Sequence, residues 1–274
     1  MTMEAPQVIL VGCGNMGYAM LSGWLASGKL KADQAFVVEP NAELRARAAA
    51  VGCSVTESVE GLDADLSPDL IVVAVKPQVL AQVLEGYKRF AGGKTTFLSI
   101  VAGVPIATFE RILGDGASVV RCMPNTPAAI GKGMMVTFDN THVSSAVSTF
   151  VADLLSASGR VAAISEESLM DAVTAVSGSG PAYVFHFIEC LTDAGVKAGL
   201  PPETAALLAS QTVMGAGVLA AEGNVEPSEL RRQVTSPNGT TAAALDVLMG
   251  KDRLKTLLAE AVEAARKRAI ELGR

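Results

Sequence analysis

The stretch Gln7-Val8-Ile9-Leu10-Val11 runs without a break into Gly12-Cys13-Gly14-Asn15-Met16-Gly17 and then into a helical pattern from Tyr18 to Ser27. A strand, three spaced glycines and a helix in that order leave few folds open. The first glycine permits a tight turn, the second lets another group approach the backbone, and the third lets the helix sit close against the strand. The helix start then offers free N–H groups to a phosphate. The pattern predicts a dinucleotide site around Gly12, Gly14, Asn15, Met16 and Gly17. The bland alternative is a glycine-rich turn that binds nothing, and the complete order of strand, glycines and helix weighs against it.

From residue 7 to about 163, short β-branched runs alternate with longer helical patterns, as in a sheet with crossover helices. Strands are expected at 7–11, 35–39, 53–55, 70–75, 96–100, 119–122 and 134–138. Several are apolar at every position, which implies helices on both faces and hence a doubly wound α/β sheet. Residues 65–69, 91–94 and 113–116 read as turns. After Ser165 no strand is evident, and apolar residues recur at helical spacing. We therefore expect a dinucleotide-binding domain over 1–164 and an all-α domain over 165–274. The last helix shows one stripe, Leu254, Leu257, Leu258, Ala261, Val262, Ala265, Ala269 and Ile270. Asp252 before it and Arg266, Lys267 and Arg268 near its end suit the helix dipole, so the basic cluster is read as a stabilised helix end.

Half the residues are apolar and 18% are charged, which disfavours disorder, and with only 4% aromatics the interior is built from aliphatic side chains and Met. The net charge of −6 disfavours nucleic acid, whose phosphates require clustered cations. Cys13, Cys53, Cys122 and Cys190 lie far apart, and His142 and His186 join no ligand cluster, so neither zinc nor a disulfide framework is expected. The start MTMEAPQVIL does not read as a signal peptide. The apolar segment 205–221 is interrupted by Ser210, Gln211 and Thr212, which suggests a helix buried among other helices rather than a membrane span. These features predict a cytoplasmic protein. The helical region is richer in Ala, Leu, Val and Met than one small body can hide, which predicts that two copies pack together.

Four further residues fall where an open α/β sheet gathers its ligand. Glu39, at the end of the second expected strand, stands where an acidic residue accepts hydrogen bonds from the adenosine ribose. It would repel a 2′-phosphate unless Arg45 or Arg47 neutralised the charge, so NADH and NADPH both stay open. Glu39 can also be read as a solvated strand end. Lys76 and Pro77 follow the fourth strand and would border the cofactor, although Pro77 also suits the first position of a helix. Asn125, in the Pro-bounded loop Arg121-Cys122-Met123-Pro124-Asn125-Thr126-Pro127, is expected to contact the cofactor as well.

In the helical region Ser177-Gly178-Ser179-Gly180-Pro181-Ala182-Tyr183 and Ser236-Pro237-Asn238-Gly239-Thr240-Thr241 bring small and hydroxyl residues to helix starts. The second offers an anion cradle, though each alone is also an ordinary capping turn. Taken with GCGNMG, AVKP and RCMPNTP in this order, they make the chain resemble the pyrroline-5-carboxylate reductases over essentially its whole length. The resemblance implies reduction of Δ1-pyrroline-5-carboxylate to L-proline by NADPH or NADH, in dimers that assemble into larger rings. It places Ser236, Gly239 and Thr240 on the substrate carboxylate, Thr241 on the ring nitrogen as the catalytic group, and Ser179 beside the substrate. Asn238 departs from a common glycine, and Glu39 from the serine, asparagine or basic residue of many members.

Two rivals stand beside this reading. A β-hydroxyacid dehydrogenase would need a catalytic lysine on a helix after residue 165, and Lys197, beside Gly195 and Gly199, is poorly suited to it. A non-catalytic NAD(P)H sensor would have no use for the 236–241 cradle.

Overall fold

The computed structural model describes residues 7–273. The MTMEAP start, expected not to be a signal peptide, lies outside them. Contacts divide the chain into two units, one running to Gly178 and taking the chain up again from Ala265, the other spanning Ser179–Ala264. The division thus falls after Gly178, while the expected boundary at 164/165 lies inside the first unit.

The first unit is an eight-stranded sheet in the order β3-β2-β1-β4-β5-β6-β7-β8. Its strands are β1 (Val8–Val11), β2 (Ala35–Val38), β3 (Ser54–Thr56), β4 (Leu70–Val73), β5 (Thr96–Ser99), β6 (Ser118–Met123), β7 (Gly133–Asp139) and β8 (Gly159–Ala163). The first six run parallel in register, with Val8 beside Ala35 and Leu70. Two-residue alternation sends their apolar side chains to two cores. Val8, Leu10, Leu70 and Val72 pack with Met20, Leu21 and Trp24 of α1 (Asn15–Ala26) and with Leu154 and Leu155 of α5 (Ser145–Ser156). Ile9, Val11, Ile71 and Val73 pack with Leu80 and Leu84 of α3 (Leu80–Glu85) and with Phe109 of α4 (Ile106–Leu113). Each such fully buried aliphatic side chain contributes about 1.5–3 kcal/mol.

The parallel pattern is broken at one edge, where β7 pairs antiparallel with β6. The link over residues 124–132 is shorter than the dozen or so residues that a parallel crossover needs. β8 then returns parallel to β7 through α5. No expected strand covers β8. Its sequence, Gly-Arg-Val-Ala-Ala, is poor in β-formers, and as a largely exposed edge strand it carries no apolar run.

The short α6 (Met170–Val173) belongs to the first unit, and the second holds α7 (Gly180–Lys197), α8 (Pro202–Glu222), α9 (Pro227–Gln233), α10 (Thr240–Met249) and the first part of α11 (Arg253–Leu272). α7 and α8 meet closely, since a Cβ on Gly195 would lie 3.1 Å from that of Ala205. α8, expected to lie buried among other helices, is not covered within the single chain. Among its residues only Ala205 and Ala209 are buried, while Leu207 is 68% exposed and Leu208, Met214 and Leu219 are exposed too. Too few helices share this unit to cover a helix that is apolar almost all round. α8 has 21 residues and an 18-residue stretch with a mean hydropathy of 1.4, so it is long and apolar enough to cross a membrane by length and composition alone.

Candidate active site

The glycine-rich turn is built as its spacing implies. Gly12 has φ +89°, and a Cβ there would lie 2.8 Å from the carbonyl oxygen of Ala74, so both conformation and space demand glycine. A Cβ on Gly17 would meet the Gly12 oxygen at 2.4 Å, the contact that lets α1 sit on β1. Gly14 differs: a Cβ there would touch nothing within 4 Å among the described residues. The space above Gly14 is open, and Gly14 caps α1 without any side chain bonding the first-turn N–H groups of Asn15, Met16 and Gly17. This is the cradle that a pyrophosphate fits.

Beside it, at the carboxyl ends of β1, β2 and β4, lies a cleft of about 510 Å³. The sheet order reverses here, β1 standing between β2 and β4, which is where such sheets hold their ligands. Val38, Pro40, Val75, Val79 and Val83 give the cleft apolar walls, and Tyr87 also lines it, its hydroxyl buried and without a hydrogen-bond partner among the described residues. Apolar walls of this kind suit a flat heteroaromatic ring, as adenine is. The residues present therefore fit a dinucleotide.

Glu39 is only 6% exposed, so it is not a solvated strand end. Its carboxylate accepts the N–H of Cys13 at 2.7 Å and that of Asn41 at 2.9 Å, tying the glycine turn to the start of α2 (Ala42–Ala49). Arg45 donates to the carbonyls of Glu39 and Pro40 at 2.7 and 2.9 Å and pairs with Glu57 at 3.5 Å. Arg47 donates to the Cys13 carbonyl at 2.9 Å and stacks 3.9 Å from the Tyr18 ring centre. Burial, with Glu39 adding to it against the opposing pull of Arg47, pushes the Cys13 thiol up to about 11. It is no nucleophile at neutral pH.

Lys76 is exposed, and Pro77 opens the short 3-10 turn after β4, as its helix-start reading requires. Asn125 is occupied within the unit: its Oδ1 accepts the Met134 N–H at 2.8 Å and its Nδ2 donates to the Ser177 carbonyl at 3.1 Å. It braces the loop after β6 against β7 and against the π-helical turn Thr174–Gly178 that precedes Ser179. A π-turn of this kind marks functional segments in many helices.

In the second unit, Ser236 to Thr241 form one turn. Asn238 takes φ +59°, the left-handed conformation that Asn tolerates. The Gly239 N–H reaches the Ser236 carbonyl at 3.1 Å, and α10 begins at Thr240 with no side chain capping it. The open N–H groups of its first turn and the hydroxyls of Ser236, Thr240 and Thr241 make a compact anion cradle. The structure thus gathers Gly12, Gly14, Asn15, Met16, Gly17 and Glu39 at one edge of the first unit and Ser236, Gly239, Thr240 and Thr241 in one turn of the second. The expected site residues did not include Tyr87. Its one signal was rarity, as one of three tyrosines in an aromatic-poor chain.

An open glycine cradle at the switch point of a parallel sheet, followed by a helical unit, defines a dinucleotide-dependent oxidoreductase. Residues 7–103 match the family described as NADP oxidoreductase, coenzyme F420-dependent, and residues 167–272 match pyrroline-5-carboxylate reductase dimerisation. The chain is 41% identical over 272 residues to the pyrroline-5-carboxylate reductase of Pseudomonas aeruginosa, covering 99% of this chain and 98% of that one. Among solved structures it is similar to a pyrroline-5-carboxylate reductase of Coxiella burnetii, with a TM-score of 0.93, 33% identity and coverage of 99% and 100%. It is also similar to the Plasmodium falciparum pyrroline carboxylate reductase with NADP bound, with a TM-score of 0.84, 32% identity and coverage of 99% and 100%. This chain belongs to the pyrroline-5-carboxylate reductase family.

Proposed function

We propose that the protein reduces Δ1-pyrroline-5-carboxylate to L-proline with NADPH or NADH, the last step of proline synthesis. The observation that carries this reading is the pairing, in one chain, of an open Gly14 cradle with an uncapped hydroxyl-rich turn at Ser236–Thr241. Gly12, Gly14, Asn15, Met16 and Gly17 hold the cofactor phosphates and Glu39 the adenosine ribose, while Lys76, Pro77 and Asn125 border the cofactor further along. When bound, the reduced nicotinamide supplies the hydride that the imine carbon accepts.

Ser236, Gly239 and Thr240 grip the substrate carboxylate through hydroxyls and first-turn N–H groups of α10, and Ser179 lies alongside. The Thr241 hydroxyl hydrogen-bonds the ring nitrogen, orienting the C=N bond and helping to hold its proton. A protonated imine is already electrophilic, so no side chain forms a covalent bond, and holding two reactants in register can lower the barrier by roughly 7–11 kcal/mol.

The 165–274 region is both the substrate domain and the dimerisation domain in this reading. Its exposed apolar helices are covered by a second copy, and the dimers assemble into a larger ring. We place the enzyme in the cytoplasm, in keeping with four cysteines that are all free thiols. Lys197, the lysine between Ser165 and Lys251 that the β-hydroxyacid dehydrogenase rival could use, ends α7.

Steady-state kinetics of Thr241→Ala test the assignment. The turnover number should fall by about tenfold to a thousandfold while cofactor affinity stays near that of the wild type. Full turnover in the variant would remove Thr241 from the reaction.

A further inference from the structure

We infer that this chain selects NADH over NADPH, and that Glu39, Glu57 and Glu60 around the adenosine cleft make the choice. The inference rests on the dinucleotide reading above and adds to it which of the two cofactors the site takes. The two differ by one 2′-phosphate, which carries about two negative charges at neutral pH.

The cleft is acidic. Glu57 and Glu60 line it, and none of its lining residues is Lys, Arg or His. Both glutamates are exposed, and the hydrogen bond from Ser58 holds the Glu60 carboxyl below the usual carboxylate range, so it is charged at neutral pH.

Between two other lining residues, Val38 and Pro40, stands Glu39. Its buried carboxylate is fixed by the N–H groups of Cys13 and Asn41 and cannot swing aside without freeing two backbone donors. Each of its oxygens accepts one of those N–H groups and keeps a lone pair, so it can also accept from a ribose hydroxyl. A phosphate placed there would be repelled.

The two arginines on the helix after Glu39 are already engaged. Arg45 is held by the carbonyls of Glu39 and Pro40 and by Glu57, and Arg47 by the Cys13 carbonyl and the Tyr18 ring. Turning either toward a phosphate would break those contacts.

Calorimetric titration of the purified full-length protein with NAD+ and with NADP+ tests this without any turnover. The double variant Glu57→Gln/Glu60→Gln serves as the partner experiment, because both side chains are exposed and the Glu39 brace is left intact. NAD+ should bind about tenfold or more tightly than NADP+. The ratio should narrow several-fold at high salt, where exposed charges are screened, and also in the double variant. Equal or tighter NADP+ binding, or a ratio that the variant does not move, would overturn the inference while leaving the dinucleotide site standing. Binding of neither nucleotide would overturn both.

Discussion

The three glycines of the first turn are separable by what each would strike if it carried a side chain, and they make opposite predictions. Gly17→Ala forces a methyl against the Gly12 carbonyl and should cost about 1–3 kcal/mol of stability, read as a lowered thermal midpoint. Gly14→Ala meets no protein atom, so the midpoint should hold while the dinucleotide dissociation constant rises about tenfold or more. Buried thiols supply a second test. Burial raises Cys13 from an ordinary 9.0 to about 11 and Cys122 to about 12. Both bind their protons more tightly folded than unfolded, so this contribution to stability is whole below pH 9 and fades as pH rises through 11 and 12. Chemical denaturation at stepped alkaline pH should show that loss, with a shallower slope in Cys122→Ser. The glycine spacing was legible in the sequence because each glycine answers to backbone geometry within its own turn. The bracing role of Asn125 and the orphan hydroxyl of Tyr87 were not, because each depends on residues brought in by the fold, Met134 and Ser177 for one and the cleft walls for the other.

At the scale of elements, central strands declared themselves through unbroken apolar runs, since burial on both faces leaves no room for alternation. The edge did not: β8 is short and exposed, and the direction of β7 follows from a link too short to cross over. One ion pair joins this edge to a helix. Arg121 on β6, its side chain 8% exposed, pairs with Glu167 at 2.8 Å, and the same carboxylate oxygen accepts the N–H of Ile106 at the start of α4. Removing the acid leaves a buried guanidinium without its partner. Glu167→Ala should therefore cost about 3–5 kcal/mol in a denaturant titration. A change below about 1 kcal/mol would show that water takes over from the carboxylate.

For the whole molecule, the helical unit is incomplete as a single copy. Leu207, Leu208, Met214 and Leu219 on α8 and Leu257 on α11 are exposed together with Phe185 on α7, far more apolar surface than isolated exposed residues require. The sequence already showed this excess but not its location, because a helix that is apolar all round does not reveal which face a partner covers. The double substitution Met214→Lys/Leu219→Lys puts charges beside a groove of about 500 Å³ on α8 and should shift the sedimentation profile to monomer, with turnover lost. An unchanged profile would move the interface elsewhere. One chemical event is central to the proposed function, transfer of hydride from a bound nicotinamide to the imine carbon of a substrate held by its carboxylate. The direct measurement incubates the enzyme with pyrroline-5-carboxylate and nicotinamide cofactor deuterated at the transferring position, then locates the label by mass spectrometry and NMR. Proline carrying one deuterium on the ring carbon that was double-bonded to nitrogen is the predicted result. Unlabelled proline, or none at all, would contradict it.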